Sequence, residues 1–430
     1  MSSGPSWARS DELHRRAVGL LPGGVNSPVR AMKSIGRDPI YIASGEGAEI
    51  VDVDGNSYID FVCSWGPLIA GHAHPAVIEA VTAAAARGTS YGAPTEAEVA
   101  IAAEIVDRMP SAEMVRMVNS GTEASMSAIR LARAATGRDK LLKFAGAYHG
   151  HVDGLLADAG SGLATAGIPA SPGVPAAQAA ATVVVPWNDR HAVAQALAEH
   201  EIAALLAEPY PANMGLIPPA DGFLAFLREQ ADTHGALLVF DEVISGFRVA
   251  RGGAQEREGV TPDLTVMGKV IGGGLPAAAY AGRKDLLERV APAGDVYQAG
   301  TLSGNPLATA AGLATLALLD SGAYARLDAV AAALADGVRD AAEQIGIPVH
   351  VESTTGLLTV FFHDGPVRDY AGAKECDLDR FGAFCRAMLA RGVYLPASQF
   401  ETWFPSLAHT DEQVERTLEA ARGALREVAA

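Results

Sequence analysis

The sequence predicts an α/β protein built on a mainly parallel sheet that helices cover on both faces. Between residues 96 and 267, short apolar runs typical of buried strands alternate with helical patterns. Four of these predicted strands end in polar residues, and in such folds the carboxyl ends of the strands form the binding crevice. The chain has 430 residues, of which 49% are hydrophobic and 19% charged, so it is long enough for two domains and typical of a globular enzyme.

The first 75 residues differ in pattern from the rest. A short helix is predicted at residues 11–21, because apolar side chains recur on one face and a Pro-Gly-Gly sequence follows it. Strand-like alternation occurs at residues 41–43, 48–51 and 58–61. An Asp-Gly-Asn sequence between the last two strands predicts a tight turn. We expect this meander to be the N-terminal part of a small domain, residues 1–75.

A large domain is predicted from residue 76 to residue 320. Its helices are expected at residues 76–87, 96–108 and 223–233, from the SGTEA motif to about residue 135, and from near Asn305. Its strands are expected at residues 114–119, 141–144, 182–186, 202–208, 237–240 and 264–267. Residues 321–430, with helices around strands at 351–353 and 357–362, are expected to be the C-terminal part of the small domain.

Charge and cysteine usage indicate which partners and which compartment to expect. Thirty-three basic and 50 acidic side chains give a net charge of −17, which argues against nucleic acid or an anionic membrane as the main partner. Cys63, Cys376 and Cys385 have no C-x-x-C spacing and are interpreted as buried or inert thiols of a reducing compartment. The N-terminus lacks the apolar core of a signal peptide, and no apolar run reaches membrane-spanning length. We expect a soluble, cytoplasmic protein.

Lys269 is the first candidate for a chemical role. It lies between an apolar strand and three glycines, in the sequence TPDLTVMGKVIGGGLP. Desolvation there disfavours the ammonium form, and a neutral amine can form a Schiff base with a carbonyl compound or with pyridoxal phosphate. Glycines leave room for a flat cofactor and let the backbone turn. The alternative is a surface lysine that precedes a turn.

Asp241 is the expected partner of this lysine. With Glu242 it ends an apolar strand, and Lys269 ends a later strand of the same predicted sheet. A carboxylate at that place can hold a pyridinium nitrogen in its protonated form, so that the ring accepts electrons. The alternative, an aspartate that caps the loop after the strand, explains the acid but not its pairing with the lysine.

A phosphate site is predicted where Ser120, Gly121 and Thr122 lie between a strand and a helix. Backbone N–H groups at a helix start, together with two hydroxyl groups, bind anions. Ser120 and Glu123 also have the spacing of a capping box, which uses the same N–H groups within the helix. The two interpretations compete, because a carboxylate folded back onto this turn repels a phosphate.

The sequence Tyr148-His149-Gly150-His151 offers an aromatic ring that can stack on the cofactor. Its histidines are alternatively a metal pair, but no Cys, Asp or Glu at useful spacing supports that, and no metal is predicted.

Three further segments complete the candidate site. Glu208 and Asn213, at the end of another strand, can order the wall of the crevice. Thr301 precedes a helix whose start is alternatively a plain N-cap. Residues 159–174, rich in small residues and proline, are interpreted as a mobile lid or as an inert loop.

The chain resembles a known family. The motifs GGVNSPVR, SWGP, GHAHP, NSGTEA, YHGH, AGSG, DEVISGFR, GKVIGGGLP, YQAGTLSGNP and FETWFPSLAHT occur in order over residues 11–425. They are similar to those of the class III aminotransferases, and the first and last motifs resemble the aminomutase branch that acts on glutamate 1-semialdehyde. One difference is Tyr210-Pro211, where that family often has small residues.

The resemblance implies the fold-type-I architecture, pyridoxal 5′-phosphate (PLP) or its amine form (PMP) as cofactor, and a homodimer with active sites at its interface. It implies that Lys269 is the Schiff-base lysine, that Asp241 contacts the ring nitrogen, and that Tyr148 and Val243 cover opposite faces of the ring. Together with the residues argued from the sequence itself, the predicted cofactor-binding set is Ser120, Gly121, Thr122, Tyr148, His149, Glu208, Asn213, Asp241, Val243, Lys269 and, from the partner subunit, Thr301. Its implied substrate-binding set is Ser27, Arg30, Trp65, Ser161 and Glu401.

The implied reaction moves an amino group within glutamate 1-semialdehyde to give 5-aminolevulinate, by way of 4,5-diaminovalerate, in tetrapyrrole biosynthesis. The implied catalytic residues are Lys269, Asp241 and Tyr148, and glutamyl-tRNA reductase is the implied supplier of the substrate. One alternative is an ω-aminotransferase that uses a separate keto acid. The absence of arginine from residues 395–414 argues against it, since transaminases that accept both a dicarboxylate and an amine often need one there. A second alternative is a PLP-binding protein without turnover.

Overall fold

A seven-stranded sheet forms the centre of the computed structural model, which describes residues 5–157 and 171–429. The strands of the described residues are β1 Ile42–Glu46, β2 Glu49–Asp52, β3 Ser57–Asp60, β4 Met114–Val118, β5 Lys140–Phe144, β6 Thr182–Val185, β7 Ile202–Ala207, β8 Leu237–Asp241, β9 Leu264–Met267, β10 Ala278–Gly282, β11 His350–Thr354, β12 Leu357–Phe361 and β13 Val393–Tyr394. The central sheet has the order β4-β10-β9-β8-β7-β5-β6. All of its pairs are parallel except the two that β10 makes, so the predicted mainly parallel sheet is confirmed.

Strand β10 was not predicted from the sequence. It lies between β4 and β9 and is antiparallel to both. Its sequence, AAYAG, consists mostly of alanine and glycine, which have a low intrinsic preference for strands. The strand forms because its neighbours bury it completely, and this tertiary effect leaves no local signal.

Helices cover both faces of the sheet, and most lie close to the predicted positions. The helices of the described residues are α1 Ala8–Val18, α2 Pro75–Ala85, α3 Glu96–Arg108, α4 Gly121–Thr136, α5 Ala176–Ala180, α6 Arg190–Glu199, α7 Phe223–His234, α8 Gly253–Glu258, α9 Lys284–Leu287, α10 Pro306–Ala317, α11 Ser321–Ile345, α12 Tyr370–Glu375, α13 Leu378–Ala390 and α14 Asp411–Ala429.

Two helix starts show how local and distant caps differ. At α3 the predicted bounds are confirmed, because the Thr95 hydroxyl accepts from the Glu98 N–H and the Glu98 carboxylate accepts from the Thr95 N–H. Helix α1 begins three residues earlier than predicted. The Asp54 carboxylate accepts hydrogen bonds from the N–H groups of Arg9 and Ser10, at 2.7 and 2.9 Å, and caps this helix from a distant part of the chain.

A second, four-stranded sheet combines both ends of the chain. Its order is β1-β2-β3-β13, with β13 parallel to β3. The same hydrophobic cluster contains Tyr58, Phe384 and Trp403, from before and after the central sheet. This arrangement supports a small domain built from both termini; the boundaries at residues 75 and 320 remain a proposal.

The three cysteines are free and buried, as predicted. Burial raises the pKa of the Cys376 thiol to about 11 and that of the Cys385 thiol to about 12, so neither is a reactive thiolate near neutral pH. Within residues 5–157 and 171–429, no single helix is long and apolar enough to cross a membrane; α10 and α11, bent by 81°, meet the criteria only as a pair.

The aromatic cluster beneath β5 provides a test of the core. Phe223 is fully buried, and its ring lies 4.9 Å from that of Trp187 and 5.8 Å from that of Phe144. We expect Phe223→Ala to lower the free energy of unfolding by about 3–5 kcal/mol, because it leaves a cavity among these rings. Urea denaturation followed by circular dichroism measures this loss. Phe226→Ala, at a half-buried position of the same helix, is the control, and equal losses in the two variants would contradict the analysis.

Candidate active site

A cavity of about 350 Å³ lies at the carboxyl ends of the central strands. It is lined by the residues that follow β4, β5, β7, β8 and β9, as expected for a crevice at this edge of a parallel sheet. The structure brings together ten of the predicted site residues around it: Ser120, Gly121, Thr122, Tyr148, His149, Glu208, Asn213, Asp241, Val243 and Lys269.

Lys269 lies at the base of this cavity, two residues after β9. It is half-buried, and its backbone is left-handed, with φ 46°, directly after Gly268. Burial lowers the pKa of the Lys269 amine, and this effect outweighs the charges of Glu401, Asp241 and Glu208, which raise it. The amine is therefore neutral at a lower pH than that of an ordinary lysine, which is what a nucleophile or a proton acceptor requires.

The Asp241 carboxylate is held in place on both of its oxygens. One oxygen lies 2.7 Å from Nδ1 of His149, and the other accepts a hydrogen bond from the Val243 N–H at 3.1 Å. The side chains of Asp241 and His149 are both buried, at 5% and 1% exposure. His149 Nε2 is buried and has no hydrogen-bond partner among the described residues. His149, the first histidine of the YHGH motif, thus orients the Asp241 carboxylate.

The neighbouring acid, Glu242, has a different role. It lies opposite Asp241 on the alternating backbone, and it accepts hydrogen bonds from the Ser245 hydroxyl, the Ala254 N–H and Gln255. These hydrogen bonds satisfy both oxygens of its buried carboxylate, which does not line the cavity. Of the two adjacent acids in the sequence, only Asp241 lines the cavity.

Glu208 fixes the wall of the cavity next to Tyr148. One carboxylate oxygen accepts from the Tyr148 N–H at 2.8 Å, and the other accepts from the Asn213 side-chain amide at 2.9 Å and the Ala212 N–H at 3.2 Å. Burial raises the pKa of Glu208, and the negative charge of Asp241 adds to this rise. Glu208 ties the ends of β5 and β7 together and so fixes the backbone at Tyr148.

The start of α4 combines a helix cap with a free anion site. The Ser120 hydroxyl accepts from the Glu123 N–H at 3.2 Å, which is half of the predicted capping box. The Glu123 carboxylate accepts instead from the Asn119 N–H at 2.6 Å, and Glu123 is not among the described residues that line the cavity. Gly121 and Thr122 line the cavity, with N–H groups that precede the first intrahelical bond. The cap therefore leaves these N–H groups available to an anion, and the two interpretations do not exclude each other.

Two glycines leave space around this helix start. A Cβ atom at Gly150 would lie 2.5 Å from the Thr122 Oγ1 atom, and Gly150 has a positive φ of 81°. A Cβ atom at Gly121 would lie 3.3 Å from a methyl group of Val243. Only glycine at position 150 therefore lets the YHGH segment approach the helix.

The remaining predicted residues that the structure describes do not line this cavity. Thr301 is exposed and lines a separate depression with residues 90–95. Ser27 lines a groove in the N-terminal turns, and Arg30 is exposed in the same turns. Trp65 is half-buried, while Glu401 is 7% exposed and is close enough to raise the pKa of Lys269. Ser161 and most of the predicted lid lie outside the described residues.

Two residues that contribute to the site were missed in the sequence. The Ser125 hydroxyl lines the cavity and is buried without a hydrogen-bond partner among the described residues. Its position five residues after Ser120, one helical turn into α4, is the signal that could have identified it. Arg248, in the DEVISGFR motif, is fully buried and contacts Gly66, next to Lys269.

Comparison with known proteins identifies the family. A model of the family described as aminotransferase class-III matches residues 32–425. The chain belongs to the class-III aminotransferases. Among curated members, this class-III aminotransferase is 58% identical, over 423 residues, to a protein of Roseiflexus castenholzii named glutamate-1-semialdehyde 2,1-aminomutase, and the match covers 98% of both chains.

Solved structures show the same architecture. An ω-transaminase from Sphaerobacter thermophilus superposes on this class-III aminotransferase with a TM-score of 0.91 at 35% identity, over 98% of both chains. A glutamate-1-semialdehyde aminomutase from Pseudomonas aeruginosa PAO1, in complex with PMP, gives a TM-score of 0.88 at 30% identity, over 98% of this chain and 95% of that one. The predicted fold-type-I architecture is confirmed.

The close approach at Gly150 provides a test of the phosphate site. We expect Gly150→Ala to weaken the binding of PLP to the cofactor-free protein by about tenfold or more, because the new methyl group displaces Thr122. A titration of absorbance measures the dissociation constant.

Gly137→Ala is the matched control for this prediction. Gly137 also has a positive φ, of 68°, but its Cβ would meet nothing within 4 Å. The control therefore carries only the cost of a left-handed backbone at a residue with a Cβ atom, about 1–2 kcal/mol of stability. Equal affinities for PLP in the wild type and in Gly150→Ala would show that the close contact between Gly150 and Thr122 does not shape the phosphate site.

Proposed function

We propose that this protein is a PLP-dependent aminomutase that converts glutamate 1-semialdehyde to 5-aminolevulinate, the precursor of tetrapyrroles. The observation that carries this function is that Lys269 and Asp241 line one cavity at adjacent strand ends, in a chain 56–58% identical over its length to proteins named glutamate-1-semialdehyde 2,1-aminomutase. The nearness of a poorly solvated amine to a fixed carboxylate suits amino-group chemistry on a pyridine ring.

The residues present fit PLP or PMP. The N–H groups of Gly121 and Thr122 and the orphaned hydroxyl of Ser125 suit a phosphate. Asp241, held by His149, suits a protonated ring nitrogen. Tyr148 and Val243 line the cavity and provide an aromatic and an aliphatic surface for a flat ring. Thr301 of a partner subunit is proposed to contact the phosphate as well.

The bound cofactor would supply the group that carries nitrogen and a ring that accepts electrons from the substrate carbon atoms. Lys269 provides the base. Its neutral Nζ atom would carry a proton between the reacting substrate carbon and the cofactor in each half of the reaction, since burial lowers the pKa of this amine. Asp241 keeps the ring nitrogen positively charged by accepting its hydrogen bond.

The substrate end of the site is proposed to combine Glu401 with residues of the N-terminal turns. Glu401 is buried near Lys269 and Tyr148, whose pKa values its charge raises. A buried acid there favours the amine-bearing end of a substrate and disfavours a carboxylate. We therefore assign the single carboxylate of glutamate 1-semialdehyde to the Arg30 side, with Ser27, Trp65 and Ser161 completing the pocket.

An ω-aminotransferase that uses a separate keto acid is the second candidate. The superposition on the Sphaerobacter thermophilus ω-transaminase, at a TM-score of 0.91, favours it. The acid at Glu401 and the absence of arginine from residues 395–414 oppose it, because the dicarboxylate acceptors of many such enzymes need a cation.

Assembly and location are also part of the proposal. A homodimer accounts for Thr301, which lies on the surface away from its own cavity. The exposed apolar side chains Tyr91 and Leu302, in segments that line the same depression, support contact with a second copy. We further propose a cytoplasmic enzyme that receives its reactive aldehyde substrate from glutamyl-tRNA reductase.

One assay separates the two candidate functions. Purified protein receives glutamate 1-semialdehyde without any amino donor or keto acid, and 5-aminolevulinate is measured. We expect sustained turnover, because both amino groups belong to the same substrate. Turnover that depends on an added keto acid would identify the ω-aminotransferase instead. In the same assay Lys269→Ala should lose at least about 10³-fold in kcat, since the base is missing.

Mixing two inactive or impaired variants tests whether the sites are shared. If Thr301 acts across the dimer, a hybrid of Lys269→Ala and Thr301→Ala subunits has one intact site. Refolding an equal mixture should then restore about a quarter of the wild-type activity, because half of the dimers are hybrids. Each variant refolded alone is the control. If the mixture is no more active than the mean activity of the two separately refolded variants, Thr301 does not act in the partner's site.

A further inference from the structure

Arg248 is a buried cation with no role in the chemistry proposed above. Its side chain is fully buried, and its acceptors among the described residues are three backbone carbonyls. It donates to Gly356 at 3.1 Å, to Pro405 at 3.2 Å, and to Gly66. Three distant segments of the chain therefore meet at one guanidinium group.

The charge of Arg248 lacks a counterion. In residues 5–157 and 171–429 no carboxylate forms an ion pair with it, and its Nε atom is buried without a partner. Burial lowers the pKa of Arg248 to about 10. An arginine in such surroundings usually has a carboxylate partner, because an unpaired buried charge is destabilising. A role beyond stability would account for its presence.

The carbonyl of Gly66 ends a strained turn. Cys63, Ser64 and Trp65 all have left-handed backbones, with φ values of 44°, 58° and 68°, and Gly66 follows at 110°. A left-handed backbone conformation costs each non-glycine residue about 1 kcal/mol or more of conformational free energy. The Asp60 carboxylate holds the start of the turn through the N–H groups of Val62 and Cys63, at 2.7 and 3.1 Å. Arg248 holds its end.

This turn contacts Lys269 directly. A Cβ atom at Gly66 would lie 3.3 Å from Cδ of Lys269 and 2.9 Å from the Phe404 ring, so the backbone of Gly66 packs against both. Arg248 bonds Gly66 and lies 5.3 Å from the centre of the Phe404 ring. The arginine thus holds the turn at Gly66, which borders the alkyl chain of Lys269, and lies against the Phe404 ring next to the same glycine.

We propose that Arg248 is a positioning residue for Lys269, which clamps the turn at Gly66 against the lysine's alkyl chain and places a positive charge near its amine. This inference rests on the proposed role of Lys269 and adds the residue that keeps the lysine in its working position and charge state.

Four charged groups act on the Lys269 amine. Glu401, Asp241 and Glu208 raise its pKa, whereas burial and the charge of Arg248 lower it. Without Arg248 the three acids are opposed by burial alone. The amine would then hold its proton to a higher pH, and less of it would be neutral near pH 7.5.

The test measures Lys269 itself, without any substrate. Full-length protein is freed of cofactor, and PLP is added at a series of pH values. The product at Lys269 is trapped with borohydride and quantified by peptide mass spectrometry. In Arg248→Gln the pH midpoint of the attachment rate should lie above that of the wild type, so that the rate near pH 7.5 falls severalfold. An unchanged midpoint in the folded variant would overturn the electrostatic part of the proposal.

Two further variants separate charge from geometry. Arg248→Lys keeps the charge but lacks the planar fork that reaches carbonyls of three separate segments, so its midpoint should stay near the wild-type value while its rate at high pH falls about fivefold or more. An unchanged rate at high pH would overturn the clamp, and this variant remains informative if Arg248→Gln does not fold. Arg257→Gln is the matched control: Arg257 is exposed, bonds the Thr355 hydroxyl at 2.7 Å, and should alter neither quantity.

The outcome is independent of which amino-group reaction the enzyme catalyses. The labelling experiment uses neither glutamate 1-semialdehyde nor a keto acid. A failure of the semialdehyde assay would reject the aminomutase activity and leave the role of Arg248 standing, while unchanged labelling would reject the role of Arg248 alone.

Discussion

The desolvation of one amine, that of Lys269, is the constraint on which the site depends. A lysine removed from water favours its neutral form, and here that tendency is opposed by three acids and aided by the charge of Arg248. The balance is possible because β8 and β9 are adjacent and parallel, so that Asp241 and the residues after Met267 emerge at the same edge of the sheet. The chemistry follows from strand order as much as from residue type.

Backbone strain is concentrated around this amine. Lys269 and Phe247 are left-handed, as is the turn that begins at Cys63, and these segments all lie around Arg248. Such conformations persist only where surrounding contacts determine them, and they recur at functional sites. Here the contacts are the Asp60 carboxylate at one end of the turn and the buried guanidinium at the other. The small-domain segments and the central sheet are thereby joined at the lysine.

The polar groups of the cavity divide into those that hold each other and those left for a ligand. Glu208 and His149 use their hydrogen bonds to fix Tyr148 and Asp241. The hydroxyl of Ser125 and Nε2 of His149 are buried with no partner among the described residues. Unpaired buried polar atoms are uncommon in folded proteins, because each costs about 1–3 kcal/mol. Their presence at one cavity supports a ligand with complementary polar atoms.

The sequence alone determined the parallel core, the edge at which the site lies and its principal residues, because strand periodicity and the polar residues at strand ends are local. It also determined both ends of α3, whose cap lies within three residues of the chain. Only the tertiary structure decided the antiparallel β10, the cap that Asp54 provides to α1, the separation of Asp241 from Glu242, and the place of Arg248. Each of these depends on groups far apart in the chain, whose contact no short stretch of sequence specifies.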